Sequence, residues 1–230
     1  METPQWRPRE LPIVGGHLAL DFANTVDDPL GPERWDHIAT ADGLLHWAGR
    51  VAIPLRVTAN RVDEGSLLRQ AHELRDTLNA VFGAIADGGS VDDADWRRLR
   101  TFVAEAMGDA DLVQSARGSA LALDWSGLDD LRVVLHPVAA AAQALLAGDD
   151  LGRLKRCGRC PWLFLDQSKN LSRRWCDMND CGRAEKIERY VARRAARRGA
   201  ASSGGKDRGP DPARTGSGSG PRSPGVDDGT

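Results

Sequence analysis

The chain has little of what usually announces a catalyst or a secreted protein. Among 230 residues there are four cysteines, one tyrosine and four phenylalanines. No apolar run approaches the eighteen or so residues needed to cross a bilayer, so no membrane partner is expected. The opening METPQWRPRE is polar and broken by proline, unlike a secretory signal, and a cytoplasmic location is expected. The five histidines, His17, His37, His46, His72 and His136, are scattered, and no H-x3-H or HExxH pairing exists. A Walker loop, a GxGxxG run and a GxSxG elbow are all missing, which removes the usual carriers of nucleotide chemistry and serine hydrolysis. The expectation is a binding protein and not an enzyme.

What is present is uneven. Hydrophobic residues make up 41% of the chain, enough for a real core and one or two domains. The net charge of −2 hides a split. Residues 1–150 hold 13 Lys and Arg against 24 Asp and Glu, whereas residues 151–198 hold 14 against 5. A basic segment behind an acidic one suggests a polyanionic partner. Docking of the basic segment on the acidic half of the same chain is the plainer alternative.

All four cysteines lie between Cys157 and Cys181, in CGRCPWLFLDQSKNLSRRWCDMNDC. The spacing is C-x2-C, fifteen residues, then C-x4-C. Two close pairs separated by a hairpin's length suit one tetrahedral Zn²⁺ held by Cys157, Cys160, Cys176 and Cys181. Two disulfides would need an oxidising compartment, and a redox C-x-x-C would sit beside a βαβ pattern that is absent here. Four thiolates fill the coordination shell and leave no open position for substrate, so the metal is expected to be structural. Between the pairs, Trp162–Leu165 reads as a strand, Asp166, Ser168 and Asn170 as a turn, and Arg173–Trp175 as the returning strand. The segment after Cys181 reads as a helix. A knuckle, a hairpin and a helix carrying the last ligand make a treble-clef-like module.

Upstream the pattern is helical. Residues 1–12 read as an extended arm. Around Leu18–Val26 strand and helix both fit, with helix favoured by Ala19, Leu20 and Ala23 and closed by Pro29 and Gly31. Thr40 is a candidate N-cap for a helix carrying Leu44, Leu45, Trp47 and Ala48. From Asp63 to about Asp87 apolar residues recur at three and four, including Leu67, Leu68, Ala71, Leu74, Leu78, Val81, Phe82 and Ile85, and Gly88-Gly89 ends the run. Ser90 with Asp93 forms a weak capping box for a third helix to about Met107, with Trp96, Leu99, Phe102 and Val103 on its apolar side. Residues 117–125 are candidates for one or two short strands. A fourth helix runs to Leu146, either from Pro137 or from Asp129 with a kink at that proline. From Gly199 the Gly, Ser and Pro content describes a disordered tail.

Two stretches resemble known families. Arg153–Arg194, through C-x2-C-x-W-x-F-x-D and S-R-R-W-C-x-M, resembles the CGNR zinc finger of bacterial proteins. It departs where Cys181-Gly182 is followed by Arg183-Ala184 and the family has Asn-Arg. GGHLALDFANT resembles the start of the ABATE domain, closely over Gly16–Thr25 and more loosely to about residue 148. That resemblance implies a stress-induced transcription regulator, with Asp21, Asn24 and Thr25 as candidate ligand contacts, although all three residue types also cap and turn. Trp47 and Arg75 are grouped with them by residue type alone.

Read as a helix, the segment after Cys181 places Lys186, Arg189, Arg193 and Arg197 in a stripe about 80° wide, beside an apolar face of Ala184, Ile187 and Val191 with Tyr190 at its border. Lys169, Arg173, Arg174 and Arg183 offer a second edge, with the last three expected nearest base edges. Arginine predominates over lysine in this part, and its planar fork suits phosphate and guanine. The fold expected is mainly α, with a helical domain at 13–148 and a zinc-bound hairpin–helix module at 151–198. The function expected is a DNA-binding transcription regulator of double-stranded DNA, with a ligand-sensing or partner-binding N-terminal domain. A zinc-stabilised protein- or RNA-interaction module stands as the alternative. An enzyme centred on Asp21 and Asn24 is the third reading.

Overall fold

A computed structural model describes residues 10–27, 34–54, 64–114 and 121–203. The arm to residue 9, Pro29, Gly31, Asp63 and the tail beyond Ser203 lie outside the described residues.

The short stretch that read as strand or helix is a helix, α1 (Leu18–Ala23). Gly16, at a φ of +72°, turns the chain into it, in a region that costs glycine little. Ala19, Leu20, Phe22 and Ala23 are all buried, so α1 is apolar on nearly every side and occupies the centre of the core. Strands β1 (Val26–Asp27) and β2 (Trp35–Asp36) then pair antiparallel. Helix α2 (Ala41–Arg50) starts where Thr40 accepts a hydrogen bond from the Gly43 amide at 3.1 Å. Phe22 meets Trp47 edge-on with ring centroids 4.9 Å apart, locking α1 to α2.

Helix α3 (Glu64–Ala86) buries Ala71, Leu74, Leu78, Val81 and Phe82 against α1, and Gly88, at a φ of +70°, ends it. Helix α4 (Asp93–Gly108) is capped by Asp92, whose carboxylate accepts from the Ala94 amide at 2.7 Å. The expected Ser90 cap is therefore displaced by two residues, because a carboxylate beside the first turn satisfies the free amides better than a more distant hydroxyl. Trp96, expected on the buried side of α4, is exposed, while Leu99 is buried. Strands β3 (Asp111–Gln114) and β4 (Leu121–Asp124) form an antiparallel ribbon with Leu112 opposite Leu123. Helix α5 (Arg132–Ala147) begins before Pro137 and carries it inside, packing on α1 and α4.

A 3-10 turn (Asp149–Arg153) leads into β5 (Leu154–Arg156), which pairs antiparallel with β6 (Leu163–Leu165), Arg156 opposite Leu163. This corrects the expected hairpin. The partner of the Trp162–Leu165 strand precedes the first cysteine pair, and Arg173–Trp175 is not a strand. Residues 166–180 are irregular, because Asp166 gathers their backbone into turns, as described below. Helix α6 (Cys181–Ser203) follows and runs past the expected end at residue 198. The architecture is mainly α with a zinc-bound hairpin–helix module.

Strand β6 is fully sunk in the core, with Leu163, Phe164 and Leu165 all buried. One edge is occupied by β5. The other is met by the segment around α1. Asn24 donates its Nδ2 to the Leu163 carbonyl at 2.8 Å and accepts from the Leu163 amide at 2.9 Å, imitating a neighbouring strand with one side chain. The Leu165 amide donates to the Gly15 carbonyl at 2.8 Å, and the Trp162 indole donates to the Val26 carbonyl at 2.9 Å. A further tie comes from Arg156, which donates through Nε to both oxygens of Asp87, at 3.1 and 3.0 Å. A Cβ at Gly83 of α3 would collide with the Arg156 guanidinium, so a larger residue there would make that side chain shift. The described chain divides into two units, one ending at Lys186 and the other beginning at Ile187, within α6.

Candidate metal centre and nucleic-acid interface

The knuckle between β5 and β6 is closed by the Cys157 amide donating to the Trp162 carbonyl at 2.8 Å. A second tie runs from the Gly158 amide to the Arg174 carbonyl at 2.9 Å and brings up the strand of chain that carries Cys176. Cys181 is the first residue of α6, where the helix's positive end favours a thiolate. The four sulfurs come within 4.8 Å of one another. Cys160 and Cys176 are 3.5 Å apart, and Cys176 and Cys181 3.7 Å. A disulfide needs about 2.05 Å, whereas a zinc tetrahedron with Zn–S of about 2.3 Å has edges of about 3.8 Å. The spacing is that of thiolates around one ion.

Electrostatics agree. Hydrogen bonding with Cys157 and Cys160 pushes the Cys176 thiol far up, and burial does the same to Cys181. Hydrogen bonding from Cys160 and Cys176 pulls the Cys157 thiol far down. The sulfurs cannot all ionise as neighbours unless a dication neutralises them. Backbone amides help at both knuckle sulfurs, those of Cys160 and Cys176 at Cys157 and that of Trp162 at Cys160. The donor set and spacing fit zinc, and the centre holds one structural Zn²⁺ through Cys157, Cys160, Cys176 and Cys181.

The irregular segment beside it is organised by Asp166, which is fully buried. Its Oδ1 accepts from the Ser168 amide at 2.9 Å and hydroxyl at 2.6 Å. Its Oδ2 meets the Arg173 amide at 2.9 Å and Lys155 Nζ at 2.6 Å. Burial alone would raise this carboxyl, but Lys155, Ser168 and the two amides outweigh it and hold it well below the carboxylate range. Lys155 also donates to the carbonyls of Leu171 and Arg173.

Arg173 requires a correction. It was expected near base edges, yet its guanidinium donates to the carbonyls of Trp175, Cys176 and Val14 and lies 4.3 Å above the Phe164 ring. Its charge wires the finger to the helical core and is not offered outward. Arg174 is exposed, 5.3 Å from the Trp175 ring. Lys169, Arg183, Lys186, Arg189, Arg193 and Arg197 are exposed too. Lys169, Arg183, Lys186, Arg193, Arg194 and Arg197 make no hydrogen bond or ion pair among the described residues. From Ile187 onward, α6 also exposes Ile187, Tyr190 and Val191.

The five candidate ligand contacts are all buried, and four of them are engaged by neighbours among the described residues. Asn24 is spent on Leu163, and Thr25 donates its hydroxyl to the Phe22 carbonyl at 2.8 Å. Asp21 is buried with its Oδ1 on the Gly15 amide, and burial pushes its carboxyl up to about 6 against the pull of the Gly15 and Val14 amides. Arg75 is buried in an ion pair with Asp36 at 2.8 Å and touches Asp76 at 3.0 Å. Trp47 is core, its indole N–H without an acceptor among the described residues. The turn chemistry read at Asp166 and Ser168 is present, but the contacts of Asp166 with Lys155 and Arg173 and the Arg156–Asp87 tie were not anticipated.

A family model for ABATE, described as "Putative stress-induced transcription regulator", matches residues 16–149. That span covers more than half of the chain. The chain belongs to the ABATE family. The CGNR zinc finger matches residues 153–194, so the finger follows the ABATE domain almost directly. No curated protein matches the chain. Among the described residues no helix is long and apolar enough to cross a membrane. The ABATE match spans α1 to α5, and the finger match begins at the last residue of the 3-10 turn.

Proposed function

We propose that this ABATE-family protein is a transcription regulator of a bacterial cytoplasm, binding duplex DNA through the basic face of α6 and acting by binding rather than catalysis. In this reading the helical domain receives a ligand or partner, and the zinc finger carries that state to the DNA. The observation that supports it most is the cationic surface of α6, where Arg193, Arg194 and Arg197 are exposed and unneutralised among the described residues. A helix so charged repels itself unless an anion lies against it. Phosphates spaced along a duplex are such an anion, and arginine forks suit them. Arg174 and Arg183, flanking the metal ligands, are the candidates for base contact, since zinc holds the local backbone steady enough to aim a side chain.

The exposed Ile187, Tyr190 and Val191 support a second reading, a module that binds a protein or RNA. Selection of genomic duplex fragments by the purified zinc-loaded protein, with single-stranded RNA as competitor, separates the two. Recovery of a shared sequence that RNA does not compete away is the result expected. Recovery of random fragments that RNA displaces would overturn the first reading.

A further inference from the structure

The loop of residues 168–172 in the finger is pinned at both ends. Ser168 is tied by its amide and hydroxyl to the buried Asp166, and its Oγ accepts from the Ser172 amide at 3.0 Å. The Leu171 amide donates to the Ser168 carbonyl at 3.3 Å, and Lys155 Nζ donates to the carbonyls of Leu171 and Arg173. Asp166 and Lys155 pair with each other as they do so. At the loop's end Leu171 sits at a φ of +48°, a left-handed conformation that glycine or asparagine adopts cheaply and leucine does not. Its side chain is 44% exposed and is not among those packed on the core, so burial offsets little of that strain. Residues 167–175 carry Lys169, Arg173 and Arg174 and no carboxylate. Arg173 is spent on three carbonyls. Lys169, Asn170 and Arg174 are exposed, and Lys169 and Asn170 make no hydrogen bond or ion pair among the described residues.

We propose that Leu171 is a DNA wedge. The loop enters the minor groove of a duplex, where Lys169, Asn170 and Arg174 meet phosphates and base edges. The leucine inserts between two base pairs and kinks the helix axis. An apolar tip with cations and an amide beside it is the equipment with which minor-groove proteins unstack a base step. Unstacking is costly, and a loop free to fold back would not force it. The pinning by Asp166 and Lys155 supplies the rigidity. Pyrimidine–purine steps such as TA unstack most readily, so the wedge selects a deformable step and not a particular base. The inference rests on the DNA-binding reading and deepens it, adding a source of selectivity that carries no charge.

The test uses the zinc-loaded full chain and a duplex of about 30 base pairs with one central TA step, end-labelled for energy transfer, beside a control in which that step is AA. Wild type should bring the ends of the TA duplex together, as a bend of about 20–90° does, and bind it at least about threefold tighter than the control. Leu171→Gly suits the backbone and removes the wedge. Its zinc content should hold and its melting temperature stay within about 3 °C of wild type. The bend and the TA preference should both vanish, while the salt dependence keeps its slope because no charge is lost. Leu171→Asn should behave likewise, and Leu171→Met should keep the bend. A duplex left straight by wild type, a bend that survives Leu171→Gly, or loss of zinc from that variant would each overturn the wedge, the last by making Leu171 a packing residue. Failure of wild type to bind either duplex at low salt would overturn the DNA reading itself, and the wedge with it.

Discussion

Replacing Asn24 with alanine tests how the finger is built into the ABATE domain. The side chain is 1% exposed and satisfies both backbone groups of Leu163, itself fully buried. Alanine leaves the Leu163 amide and carbonyl facing α1 with no partner, in a space water does not reach. Each stranded buried backbone group costs about 1–3 kcal/mol, and two bonds are lost, so the variant should be destabilised by about 2–5 kcal/mol. At about 2–4 °C per kcal/mol for a chain of this size, the melting temperature should fall by about 4–20 °C. Asn24→Asp should be at least as damaging, since it turns the donor facing the Leu163 carbonyl into a second acceptor. The assay is thermal unfolding of zinc-loaded protein, paired with the rate of zinc transfer to a chromogenic chelator. Because β6 leads out of the knuckle, zinc should leave faster from both variants. A shift under 1 °C with unchanged zinc transfer would refute the account, because Asn24 would then not be holding β6.

Three further outcomes are expected. Protein purified under reducing conditions should contain one zinc per chain, and Cys176→Ser should lose it; with β6 sunk in the core, chelation should also lower the melting temperature of the helical domain, and a finger that stays folded after chelation would contradict the metal centre. Asp21 has a folded-state pKa of about 6 against an ordinary 3.8, so its charged form is disfavoured on folding; the penalty is absent below about pH 4, grows as pH rises through 6 and reaches about 3 kcal/mol, and Asp21→Asn should remove that part of the pH dependence in urea unfolding measured from pH 4 to about 8. Gly83→Ala should push Arg156 off Asp87, with a loss of stability that Arg156→Ala largely cancels in a double-mutant cycle.

The metal centre was legible because zinc imposes a spacing that survives any local variation around it. Helices α2 and α3 were legible because Thr40 and the three-and-four apolar recurrence are local signals. What the sequence concealed was long-range. Asn24 looks like a turn or ligand residue until Leu163, far along the chain, arrives beside it. Arg173 reads as a cationic contact because nothing nearby in sequence shows that three carbonyls and Phe164 surround it. The partner of β6 was misplaced for a related reason, since strand-like composition at Arg173–Trp175 does not reveal that Asp166 has already claimed the Arg173 amide.

The most direct test of the central claim is a fluorescence-anisotropy titration of zinc-loaded chain against duplex DNA over a range of salt, for wild type, Arg193→Ala, Arg197→Ala and Arg174→Ala. Wild type should bind, with log affinity falling linearly in log salt, and each of the two α6 substitutions should flatten that slope by about one unit on any duplex. Arg174→Ala should lose about 1–3 kcal/mol on the selected sequence and little on random DNA. No salt-dependent binding by wild type, or affinities unchanged in all three variants, would contradict the claim that α6 and its zinc finger form a DNA-binding surface.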